Sequence, residues 1–314
     1  MAAFPKIVRA CAVAVASLIV LAGAAKAVGS GPPHTGDAFA GEAAAIARAS
    51  SEAHRIVSLV PATTEMLFAM GAGDRVAGVS SYDRYPPEVE RLPRLGGLLD
   101  PNVERLLALK PDVAIVYHTQ AELRQQLERA GIPVFPYAHR GLPDVTETIR
   151  ALGARVGFEA QGRALAERIE GRLDEIRKRV GGSARPKVLL IFSRERGTLS
   201  HLDASGGYGF LHDMLEIAGA ADVLADIKRE SVQVSTEMVL TRAPDVIIEL
   251  HYGTSLPPDR IEAERHVWDT LASVPAVKNG RVHLVIGDEF VVPGPRIAAA
   301  TEHLARILHP DAFR

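Results

Sequence analysis

The stretch Asn102-Val-Glu-Arg-Leu-Leu-Ala-Leu-Lys-Pro-Asp-Val-Ala-Ile-Val116 is written a second time, in kind, as Ser235-Thr-Glu-Met-Val-Leu-Thr-Arg-Ala-Pro-Asp-Val-Ile-Ile-Glu249. Both open on a residue that caps a helix well, Asn102 and Ser235. Both place a glutamate two residues on, Glu104 and Glu237. Both stop at Pro-Asp, where proline disfavours helical geometry in the residue before it. Both then run into an apolar strand. A second pair agrees: Met66-Leu67 leads to Gly71-Ala72-Gly73-Asp74, and Met214-Leu215 leads to Gly219-Ala220-Ala221-Asp222. Each reads as a helix closed by a glycine cap. Two matches in the same order predict two related lobes.

Outward from these anchors, strands and helices alternate. Strands are expected over Arg55 to Val60, Val76 to Val79, Val113 to Val116 and Pro133 to Pro136. Helices are expected from Thr64 to Met70 and after Thr119, whose partner three residues on, Glu122, completes a capping box. The second lobe offers strands Lys187 to Phe192, Val246 to Leu250 and Val282 to Ile286, then a helix from Pro295 to Leu308. Such alternation predicts an α/β fold of parallel-type sheets flanked by helices. Between the lobes, Leu165, Ile169, Leu173, Ile176 and Val180 recur every three or four residues, one stripe of a long helix. A helix of that length between two lobes is a rigid bridging strut.

The first residues read as a targeting segment. Lys6 and Arg9 precede an apolar run from Ala10 to Ala25, and Ala25-Lys26-Ala27 gives the small-x-small pattern of a cleavage site. The run is shorter than the roughly 20 residues a membrane span needs. Cys11, the single cysteine, lies inside it and not at its end, so a soluble, exported, periplasmic chain without a lipid anchor, disulfide or thiolate metal site is expected. The expected organisation is a signal peptide over 1–27, a flexible leader over 28–53, an N-terminal α/β lobe over 54–142, a bridging-helix region over 143–185 and a C-terminal α/β lobe over 186–314. With 47% apolar and 24% charged residues, the 314-residue chain has material for a core and an ordinary surface. Its net charge of −2 gives no basic face for nucleic acid.

Ligands of open parallel sheets bind outside the carboxyl ends of the strands. Those ends carry Pro61 and Thr63, then Tyr82, then Tyr117 and His118 in the first lobe. In the second they carry Arg194, Tyr252, Glu289 and Arg296. Two facing loop sets are expected to form one cleft. The segments Arg55-Ile-Val-Ser-Leu-Val-Pro-Ala-Thr-Thr-Glu65, Gly78-Val-Ser-Ser-Tyr-Asp-Arg-Tyr-Pro-Pro87, Asn102 to Asp112 and Pro293-Gly-Pro-Arg296 resemble the periplasmic iron-complex and vitamin B12 binding proteins of ABC importers. That resemblance, from about His54 to the C-terminus, implies a monomeric class III periplasmic binding protein whose two lobes share one rigid helix. It implies a small ligand, a corrinoid or an iron chelate, with Tyr82 stacking on a corrin. It also implies a partner, the permease dimer of the inner membrane, met by Glu104 and Glu237. Arg194, Arg196 and Arg296 would suit an anionic chelate or haem propionates, and Tyr117 with His118 could ligate haem iron. Trp268 is expected in the core, away from the ligand.

Other function classes find little support. The mature chain has no Gly-x-Ser-x-Gly elbow and no His-Glu-x-x-His. The loop Asp203-Ala-Ser-Gly-Gly-Tyr-Gly209, flanked by His201 and carrying Tyr208, lacks the Gly-Lys-Ser/Thr ending of a phosphate cradle. No catalytic residue, resident metal or cofactor is expected. A bare-metal binder would need three or four converging ligands, and the strand ends offer His118, His251 and Glu289.

Overall fold

The apolar runs on either side of the two Pro-Asp steps form strands, and their neighbours assemble around them. The computed structural model describes residues 53–253 and 255–314; the expected signal peptide, Cys11 and the expected leader up to residue 52 lie outside them. The described residues divide into two units. An N-terminal unit comprises 53–138 and 143–169, and a C-terminal unit comprises 139–142 and 170–314.

In the N-terminal unit, β1 (Ile56–Ser58), β2 (Val76–Val79), β3 (Val113–Tyr117) and β4 (Val134–Tyr137) form a sheet of order β2-β1-β3-β4. Every pairing in it is parallel. Helices α1 (Pro61–Ala69), α2 (Val103–Ala108), α3 (Ala121–Arg129) and α4 (Leu142–Val156) connect and follow these strands. Parallel strands need such crossovers, and all four carboxyl ends therefore fall on one edge. Val57, Leu59, Leu95, Leu106, Ala114, Val116 and Leu127 fill the core under this sheet.

Helix α5 (Glu159–Val180) follows, and the division between the units falls inside it. Its 22 residues give a length of about 33 Å. Leu165, Ile169, Leu173, Ile176 and Val180 are all buried, so the stripe read from the sequence is its packed face.

In the C-terminal unit the sheet is mixed. Strands β5 (Lys187–Ser193), β9 (Val246–His251) and β10 (Val282–Ile286) are parallel, in order β10-β9-β5. The sheet continues antiparallel through β6 (Leu202–Ser205) and β8 (Ser231–Val234), while the two-residue β7 (Ala221–Asp222) pairs parallel with β5. The parallel strands read from the sequence are thus extended at one edge by the short antiparallel pair β6–β8. Helices α6 (Phe210–Ile217), α7 (Thr236–Arg242), α8 (Pro258–His266), α9 (Pro275–Lys278) and α10 (Ile297–Leu308) complete the unit. Trp268 is fully buried in the core with Leu189, Ile191, Val239, Ile247 and Val282.

The repeat is visible atom by atom. Asp112 Oδ2 accepts from the amide N–H of Arg55, and Asp245 Oδ2 accepts from that of Lys187, each at the start of its unit's first long strand pair. The residues before the two prolines, Lys110 (φ 48°) and Ala243 (φ 46°), both take the left-handed conformation with which helices commonly end. Gly71 (φ 87°) and Gly219 (φ 81°) close the two equivalent helices. The capping box at Thr119 does not form. Helix α3 starts one residue later, and Gln120 instead accepts from the Tyr117 amide N–H and donates to the Leu98 carbonyl.

Candidate functional site

The carboxyl edge of the N-terminal sheet holds Pro61, Tyr82, Tyr117 and His118 on consecutive strand ends. Pro61 opens α1 at its first position, where a missing N–H costs nothing. Thr63, expected to touch ligand, is fully buried; its hydroxyl bonds to Ser58 and to the Val60 carbonyl. It fastens the β1–α1 turn from below, and that correction follows from the short hydroxyl reaching the nearest backbone acceptor first. Tyr117 stacks edge-on against Tyr137, with centroids 5.9 Å apart. His118 is exposed, and its Nδ1 lies 3.3 Å from the Tyr137 carbonyl.

Tyr82 is carried by a loop that is locked on both sides. Asp83 Oδ2 accepts from the Ser80 amide at 2.8 Å and from the Ser80 hydroxyl. Arg94 donates to the carbonyls of Ser80 and Asp83 at 3.0 and 2.6 Å. The Tyr82 ring lies against Gly97, where an added methyl would sit 2.4 Å from Cε2. Gly97 is therefore the residue that lets the ring lie down.

Burial drives the Asp83 carboxyl up to about 6 from its ordinary 3.8, outweighing the Ser80 hydrogen bonds and the Arg94 charge. The folded state thus binds the proton more tightly than the unfolded chain. Its contribution is complete below about pH 4 and is lost as pH rises through about 6, an amount of about 3 kcal/mol. Asp83→Asn removes that loss. The melting temperature of the variant minus that of the wild type is expected to increase from about pH 4 to pH 7. An equal difference at both pH values would show that Asp83 does not titrate this way.

In the C-terminal unit, Arg194 is not at a rim. Its side chain is 3% exposed, and four of its five N–H groups donate hydrogen bonds. Nε donates to Glu249 at 2.8 Å, Nη1 to the carbonyls of Glu195 and Thr198, and Nη2 to the carbonyl of Glu264, whose carboxylate stands 2.8 Å away as an ion pair. Glu249 also accepts from the Trp268 indole at 2.9 Å, and His251 Nε2 stands 2.8 Å from it, out of hydrogen-bond line. Burial alone would raise Glu249, but His251, Arg194 and Trp268 outweigh it and hold the carboxyl below its ordinary value. The expectation that Arg194 meets an anionic ligand is corrected: two internal carboxylates have taken the guanidinium. The sequence signal for this network was Glu249 itself, a charge inside the buried run Val246-Ile-Ile-Glu-Leu250.

The remaining strand-end residues are half-buried. Arg296 pairs with Glu289 at 3.1 Å, and Gly287 leaves room for that glutamate to fold back. Tyr252 follows β9, in a loop pinned where the Gly253 amide donates to Asp288 at 2.8 Å. Arg196 is exposed in the loop after β5. Among the described residues, no group of three or more His, Cys, Asp or Glu side chains is disposed to hold a metal ion. None of the described helices is long and apolar enough to cross a membrane.

Glu104 and Glu237 occupy the first turns of α2 and α7. Asn102 and Ser235 cap these helices by accepting from the amides of Arg105 and Met238. Both glutamates are exposed, and neither carboxylate holds an ion pair among the described residues.

Known proteins resemble this chain along most of its length. The vitamin B12-binding protein of Yersinia pestis is 29% identical over 256 residues, 81% of this chain and 86% of that one. The ABC transporter substrate-binding lipoprotein YvrC of Bacillus subtilis is 29% identical over 268 residues, 84% of this chain and 82% of its own. Among solved structures, the periplasmic vitamin B12 binding protein BtuF of Vibrio cholerae superposes with a TM-score of 0.71 at 26% identity, covering 84% of this chain and 99% of that one. The periplasmic heme-binding protein RhuT of Roseiflexus gives 0.68 at 27%, covering 82% and 99%. The family model for periplasmic binding proteins matches residues 56–285, and with it the two-unit α/β fold, so the chain belongs to the periplasmic binding protein family.

Proposed function

We propose that this chain delivers a corrinoid, a cobalamin-like ligand, to the permease dimer of an ABC importer. It is a transport component and not an enzyme, as its family is. The observation that carries the ligand reading is Tyr82, a half-buried aromatic ring laid on Gly97 at the strand-end edge by the Ser80–Asp83–Arg94 lock. A flat macrocycle is recognised by such a fixed ring at little entropic cost. The likeness to the vitamin B12-binding relative supports it. Pro61, Tyr117, His118, Tyr252, Glu289 and Arg296 are the further ligand contacts in this reading. A ferric siderophore or haem is the second reading, favoured by exposed His118 beside Tyr117, donors that suit iron.

Calorimetric titration with cobalamin, cobinamide, haemin and a ferric hydroxamate separates the two. Corrinoid binding at one site per chain is expected, and binding of haemin or the hydroxamate alone would replace the first reading with the second. Tyr82→Ala is expected to weaken the bound ligand by about 1–2 kcal/mol. Unchanged affinity would remove Tyr82 from the contact. We read the working form as a soluble periplasmic monomer cut after Ala27. The lipoprotein relative sets a lipid-anchored form as the competing state, and the mass of the mature chain tells them apart.

A further inference from the structure

Large apolar side chains that face water are few: among the described residues they are Tyr85, Leu99, Leu107, Tyr208 and Leu240. Two of these five fall at the same place in the internal repeat. Leu107 is three residues after Glu104 on α2, and Leu240 is three residues after Glu237 on α7. Residues three apart on a helix share a face. Leu107 is 37% exposed and Leu240 45%, while Leu106 and Val239, the residues just before them, are buried and anchor each helix. Each unit therefore shows the same small outward pattern, an unpaired carboxylate and, one turn along, an uncovered leucine. A leucine left in water by helix preference alone would not need to recur beside the unpaired acid, since alanine or lysine serves a helix as well.

We infer that Leu107 and Leu240 are the apolar halves of the two permease-docking patches, each meeting a hollow beside a cation on one subunit of the membrane partner. This rests on the docking role that the family resemblance implies for Glu104 and Glu237 and names what holds the contact once charge has found it. Exposed charge pairs govern encounter rate and are screened by salt; buried apolar contacts govern residence. The partner is therefore a two-fold membrane protein presenting an Arg or Lys next to an apolar depression on each subunit, complementary in charge to the free carboxylates.

The test uses the full mature chain, loaded with ligand, binding to cytoplasmic-membrane vesicles of the source organism from low to high salt. The Leu107→Ser/Leu240→Ser double variant is expected to dissociate about tenfold or more faster, with association rate, salt slope and ligand affinity unchanged. Leu107→Ala/Leu240→Ala, which keeps the helix preference while removing the apolar side chain, is expected to dissociate as fast as the serine variant, which a merely disturbed helix would not do. The Glu104→Lys/Glu237→Lys variant is expected to lose association. If the serine variant dissociates like the wild type while the lysine variant fails to bind, the apolar halves are wrong and the acidic docking stands. If the lysine variant, too, binds like the wild type, or the wild type does not bind, both fall together.

Discussion

Arg194→Met is expected to destabilise the C-terminal unit by about 3–5 kcal/mol, the usual effect of removing one partner from a buried ion pair. Two carboxylates, Glu249 and Glu264, would remain in a site where each is under 10% exposed, with the His251 ring beside Glu249. The methionine fills much of the volume, so the loss is electrostatic and not a cavity effect. At roughly 2–4 °C per kcal/mol for a unit of this size, the melting transition should fall by roughly 6–20 °C. The sign with pH follows from the carboxylates. Without Arg194 the protonated form of Glu249 is favoured, so the gap to the wild type should narrow on acidification. The Trp268 indole, bonded to Glu249, reports the event through its fluorescence. A calorimetric scan showing a shift of under a degree or two would mean that water reaches these carboxylates and the network holds little.

That prediction could not have been written from the sequence. Arg194 sits in Ser-Arg-Glu-Arg, a segment that reads as a solvated loop, and the acids that bury it lie 55 and 70 residues away. Long-range pairing of charges leaves no local pattern. Thr63 failed for the opposite reason: its partners are so close that its hydroxyl is consumed before a ligand could reach it. The strands β6 and β8 were hidden by brevity, four residues each beside a glycine-rich loop. What was legible had either period or punctuation. The stripe of α5 recurs from Leu165 to Val180 along a 22-residue helix. The repeated cap, glutamate and Pro-Asp step returned as matched hydrogen bonds and matched left-handed residues. Strand ends could be read because β1, β5 and β9 are largely apolar, buried runs, as a parallel sheet covered on both faces requires. Tyr82 was named from its place after β2, but the lock that holds it was not, since Gly97 and Arg94 act through backbone and shape.

Reversing both Glu104 and Glu237 to lysine is expected to abolish uptake while leaving the fold and ligand affinity intact. Among the described residues neither carboxylate has an ion-pair partner to lose, so the stability cost is confined to a cation in the first turn of each helix, about 0.3–1 kcal/mol apiece against the helix dipole. At the partner the change is far larger. Each attraction becomes a repulsion, and like charges set against each other across an interface cost several kcal/mol. The two glutamates hold equivalent positions in the two copies of the repeat, so a two-fold partner meets the same insult twice. Glu104→Gln/Glu237→Gln removes the attraction without adding repulsion and should lower uptake less, with a weaker dependence on salt. The measurement is uptake of labelled ligand by cells carrying each variant, with calorimetric ligand binding on the purified chains beside it. Uptake that survives the double reversal would remove these helices from the permease contact, whatever the chain binds.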